Sequence, residues 1–136
     1  MRSRRTAQIV LWLLFATAAS TGLIAAAAPH TFYDDFPFYA HWVEMLPPYN
    51  EHLTTDVGGL YLGFAVVFAW AARTLQATLV RAVCCGWLLM ASLHFVFHAT
   101  HLENFGTADA IAELFSLGLL LPPAILAIWA VAEPRR

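Results

Sequence analysis

No basic residue lies between Arg5 and Arg73, or between Arg81 and Arg135. Each of these stretches is long enough for helices to cross a bilayer and return, because one crossing takes about 20 apolar residues. The basic residues, all arginine, fall into three clusters: Arg2, Arg4 and Arg5; Arg73 and Arg81; Arg135 and Arg136. Segments rich in arginine stay on the cytoplasmic side of a membrane. This places both termini and the 73–81 loop inside, and the 29–53 and 101–107 loops outside, which requires four crossings.

Composition points the same way. Of 136 residues, 60% are hydrophobic and only 12% charged, about half the charged fraction of a soluble domain. Too little polar surface is left to coat a soluble globule, so a single transmembrane domain over 1–136 in the plasma membrane is expected. Every acidic residue except Glu133, and all six histidines, belong to the outer half. The arginines are the short flanks that topology demands, so no nucleic-acid partner is expected. Cys84 and Cys85 are neighbours on a helix and point about 100° apart, which suits packing rather than a mutual bridge or a shared metal.

The expected fold is all-α: an integral membrane four-helix bundle with helices at about 7–28, 50–72, 75–101 and 107–132. Residues 1–28 resemble a secretory signal ending in Ala26-Ala27-Ala28, but an apolar run of roughly 20 residues is long for a signal core, so the helix is expected to be retained. Pro29, Pro37, Pro47 and Pro48, set among aromatic residues, make 29–49 an outer lid at the bilayer interface, with a short helix around 38–46. Asn50 and Thr107 can cap the second and fourth helices. Pro122-Pro123 should kink the last.

One constellation looks chemical. His52 and Asp56 on the second helix, His94, His98 and His101 on the third, and Asp109 and Glu113 on the fourth stand near the outer helix ends at near-i, i+4 spacing. Counted from Arg73 and Arg81, Asp56 and His98 reach the same depth, about 25 Å at 1.5 Å per residue. Below Asp56, Gly59 and Gly63 would let another backbone approach, drawing the polar groups together, and Ser116 continues the Asp109 and Glu113 face. Ionisable groups at membrane depth need a partner. Histidine with carboxylate suits zinc, iron, manganese or copper(II). His52, Asp56, His94, His98 and Glu113, with His101 at the helix end, are the candidate ligands, and Glu51 or Asp109 the candidate general base. Metal-bound water would serve hydrolysis; a redox metal would exchange electrons with a quinone.

The alternative is a non-catalytic module whose polar cluster ties helices together and whose lid meets a partner membrane subunit or a second copy. A proton-linked site is a third reading, but no polar path to the cytoplasm is apparent below the cluster.

The stretches FYDDFP at 32–37, HWVEMLPPYNEHLTTDVGGLYL at 41–62 and HFVFHATHLENF at 94–105 resemble a group of small actinobacterial membrane proteins without an assigned function. The whole chain also resembles the DoxX-like class of four-helix membrane proteins. That resemblance implies the bundle. Some DoxX-like relatives are linked to thiol or thiosulfate oxidation with quinone, but no cysteine lies near the outer cluster, so no catalytic residue carries over.

Overall fold

A computed structural model of the chain describes residues 3–46 and 48–131. Six helices follow one another: α1 (Arg4–Ala27), α2 (Pro29–Asp35), α3 (Glu51–Thr74), α4 (Ala77–Ala99), α5 (Thr107–Gly118) and α6 (Leu121–Ala130). No strand occurs among the described residues. α1, α3, α4 and the α5–α6 pair are the four segments long and apolar enough to cross a membrane. At 1.5 Å per residue a 24-residue helix spans about 36 Å, enough for a hydrocarbon layer of about 30 Å. One end of the bundle carries Arg4, Arg5, Arg73 and Arg81, and the other carries the lid. Arg2, Glu133, Arg135 and Arg136 lie outside the described residues.

Local chemistry sets the helix ends. Ser3 caps α1 by accepting the Thr6 N–H at 3.4 Å, and Asn50 caps α3 by accepting the Leu53 N–H at 3.0 Å. Thr107 is the first residue of α5, not its cap; Gly106 takes that position, without a side-chain bond. The lid's helix is α2, not the expected 38–46 segment. Pro29 suits the first turn, where its missing N–H costs nothing. Phe38, Tyr39 and His41 adopt left-handed φ values of 48°, 65° and 60°, which no α-helix accommodates. The last crossing divides at Leu119–Leu120, and Pro122-Pro123 sit in the first turn of α6.

The main helix pair is α1 with α3, with α6 packed against α1 and α4. Gly22 and Gly58 make the α1–α3 crossing: a Cβ on Gly58 would lie 2.4 Å from the Ala26 nitrogen, and one on Gly22 would lie 2.8 Å from the Leu62 nitrogen. The crossing is therefore a backbone-on-backbone contact, as in other membrane helix pairs joined by small residues. Gly59 and Gly63, expected to serve this purpose, have nothing within 4 Å of such a Cβ. A one-residue step turns the helix by 100°, and it is Gly58 that faces the partner helix.

Toward the arginine end, Phe68, Val80, Cys84 and Trp87 are fully buried with Leu11 of α1. Trp87 meets Tyr61, Phe64 and Phe68 edge-on, with centroids 5.8, 5.5 and 5.4 Å away. Its indole N–H donates to the Leu120 carbonyl at 3.0 Å, satisfying a polar group where the last crossing breaks. Trp87→Ala is expected to lower stability by about 3–5 kcal/mol and Trp87→Phe by about 1–2 kcal/mol, read from unfolding by SDS in mixed micelles. Cys84 is buried and Cys85 exposed, and both are free thiols.

Candidate functional site

α4 and α5 approach each other at the lid end, and there His98 Nδ1 lies 2.6 Å from Glu113 Oε1. Both side chains are buried, 9% and 3% exposed. A single proton between these atoms keeps the pair net neutral, whichever partner carries it; two separate charges at this depth would cost several kcal/mol each. His94, one turn earlier, sets its ring against His98 with centroids 4.5 Å apart at 65°. Phe97 also meets His98 edge-on, at 5.8 Å. Glu113 Oε2 is buried and has no hydrogen-bond partner among the described residues. Ser116 does not extend the polar face, because its hydroxyl donates to the Glu113 backbone carbonyl at 2.8 Å.

His101 turns elsewhere. Its ring stacks on Phe97 at 4.2 Å, and Nδ1 lies 2.8 Å from the Phe97 carbonyl. On α3, His52 Nε2 lies 2.9 Å from Asp56 Oδ2, with side chains 85% and 62% exposed. Together with Glu51 and Thr55 they line a shallow open depression. Among the described residues, no group of three or more histidine, cysteine, aspartate or glutamate side chains is placed to hold a metal ion. α3 lies chiefly against α1, which leaves the His52–Asp56 face open.

Asp109, a candidate base, is engaged in holding the lid: its Oδ1 accepts the Trp42 indole N–H at 3.4 Å. Asn104 adds a second fastening by donating to the Met45 carbonyl at 2.9 Å. Within the lid, His41 Nδ1 bonds to the Asp34 carbonyl and lies 3.4 Å from Glu44, while His30 stacks on Tyr49 at 4.2 Å. The Tyr49 hydroxyl is buried without a partner among the described residues, and its burial, then Glu51 and Asp34, raise its pKa above the ordinary phenol value. It stays protonated, a donor. Trp42 and Tyr49 lie in the lid expected from the sequence; what sequence reasoning missed is that Trp42 and Asn104 fasten it. The available signal was chemical: a tryptophan N–H or tyrosine O–H that folds inward usually finds an acceptor.

Residues 6–101 match a family described as a domain of unknown function, DUF4345. The chain belongs to that family. The match takes in α1 to α4 with His94 and His98, and ends before the glutamate of α5 that His98 contacts. No curated protein and no solved structure matches the chain.

Proposed function

We propose that this DUF4345 protein is a non-catalytic membrane module that holds a rigid lid against the ends of its helices and offers that lid to a partner membrane subunit. The observation that carries this reading is the lid itself. Phe38 and Tyr39 are 97% and 78% exposed, on a loop fastened at its base to α5 and to the α4–α5 turn. Their backbone is left-handed, a conformation that costs on the order of 1–3 kcal/mol per residue, and the loop around them is closed by N–H bonds from Tyr39 to the Asp35 carbonyl and from Trp42 to the Phe36 carbonyl. Two exposed aromatic rings on a pre-organised loop are suited to act as interface anchors. In this reading His98 and Glu113 fix α5, and through Asp109 the lid. Arginine placement supports a plasma-membrane protein with cytoplasmic termini and the lid outside. The DoxX-like resemblance enters for architecture alone.

A photo-crosslinking residue at position 38, in cells, tests the proposal against the same residue at lipid-facing position 93. A discrete protein adduct at 38 that is absent at 93 and lost on Tyr39→Ala is the expected result. Lipid adducts alone at both positions would overturn it. The fastenings carry their own prediction: Trp42→Phe with Asn104→Ala is expected to speed amide exchange across 36–46 about tenfold or more, since two hydrogen bonds are lost at about 0.5–1.5 kcal/mol each. The melting of the bundle should hardly move.

The unpartnered Glu113 Oε2 favours a second reading, in which Glu113, His98 and His94 hold zinc, iron, manganese or copper(II) after side-chain rotation. Such an ion would supply a bound water for hydrolysis or a redox partner for quinone. Two imidazoles and one carboxylate suit those metals.

A further inference from the structure

A groove on the surface lies far from the histidines. It runs between α1 and α3 toward the arginine end, has a volume of about 580 Å³, and is lined by Phe15, Ala19, Ala65, Val66 and Trp70, with Arg73 and Thr74 closing one end. We infer that it binds one acyl chain of an anionic phospholipid from the leaflet on the arginine side, with the lipid phosphate on Arg73.

Length, charge and donor geometry support this occupant. The groove extends along α3 from Leu62 to Arg73, about 16 Å at 1.5 Å per residue. A single leaflet of hydrocarbon is about 15 Å deep, half of a 30 Å core. The groove is thus one acyl chain long, and a guanidinium stands where the headgroup of that chain begins. Arg73 Cζ lies 5.2 Å from the centroid of the Trp12 ring on α1. A guanidinium stacked on a ring face keeps its N–H edge available, and that edge matches phosphate oxygens bidentately. No carboxylate pairs with Arg73 among the described residues; the described acidic side chains belong to the lid end. Arg4, Arg5 and Arg81 share the Arg73 end, so its field favours an anionic over a zwitterionic headgroup.

Native mass spectrometry of the full chain, released from vesicles of equal parts phosphatidylglycerol and phosphatidylcholine, tests the inference. The parent is expected to retain phosphatidylglycerol about tenfold over phosphatidylcholine. Arg73→Gln is expected to reduce that preference at least fivefold while Arg81→Gln, at the same end, leaves it within twofold. Val66→Phe, at a lipid-exposed groove position, fills the channel and is expected to lose both lipids. Equal retention of the two lipids by the parent would overturn the site. So would a fall in preference for Arg81→Gln as large as that for Arg73→Gln, because the selectivity would then belong to net charge and not to the groove.

Discussion

Gly58→Leu is expected to yield no monodisperse folded protein from detergent, whereas Gly59→Leu and Gly63→Leu melt no lower than the parent. The prediction rests on what each new side chain would meet. At Gly58 even a Cβ would lie 2.4 Å from the Ala26 nitrogen and 2.8 Å from the Ala25 carbonyl carbon, and backbone atoms cannot rotate aside. The α1 and α3 axes would have to separate along the most extensive helix contact in the bundle. Overpacking a flexible core costs about 1–3 kcal/mol; a clash with backbone at a helix crossing belongs to the larger effects, beyond about 4 kcal/mol. Gly58→Ala should fall between, since alanine gains about 1 kcal/mol of helix propensity and still cannot fit. Gly59 and Gly63 face open space. Thermal melts of the purified variants decide the matter. A stable Gly58→Leu beside an unstable Gly59→Leu would mean that α3 presents another face to α1.

Removing His98 is the second large effect. His98→Leu leaves Glu113 as a buried carboxyl with neither oxygen bonded to another side chain, since Oε2 already lacks a partner. An ordinary interhelical hydrogen bond in a membrane contributes only about 0.6 kcal/mol. An unpaired acidic group costs about 2.5–3.5 kcal/mol at the centre of a membrane helix and less toward its ends. Glu113 is the seventh residue of a 24-residue crossing, and its stranding still outweighs the lost bond, so His98→Leu is expected to lose about 2–3 kcal/mol. Glu113→Leu leaves a histidine that can remain neutral, with a smaller expected loss of about 1–2 kcal/mol. Because the damage in each case is the stranded partner, His98→Leu with Glu113→Leu should recover at least half of the His98→Leu loss. SDS titration in mixed micelles measures all four corners of this cycle. Strictly additive losses would show that the two side chains act independently.

The parts of this structure that were legible in the sequence follow from one-dimensional spacing. Apolar length located the four helices able to cross a membrane, and the Asn50 cap and the i, i+4 pairing of His52 with Asp56 are local consequences of helix geometry. Position along each helix follows from the same regularity, a rise of about 1.5 Å per residue. Azimuth between helices does not. Whether Gly58 or Gly59 faces α1 turns on 100° of rotation, and the same uncertainty separates an exposed His52–Asp56 pair from a buried His98–Glu113 pair. The lid was legible as a lid from its prolines and aromatics. Its helix lies nearer Pro29 than expected, because left-handed residues at 38, 39 and 41 are set by the packing of the loop and not by residue type.

The central claim is that His98 and Glu113 fasten two helices to each other and are not part of a larger liganded centre. Elemental analysis of the detergent-purified protein beside its Glu113→Gln variant, both verified as folded and both exposed to zinc, iron, manganese and copper(II) before desalting, tests this most directly. The account predicts metal far below one equivalent in each. Near-stoichiometric metal in the parent, lost from the folded Glu113→Gln protein, would contradict it.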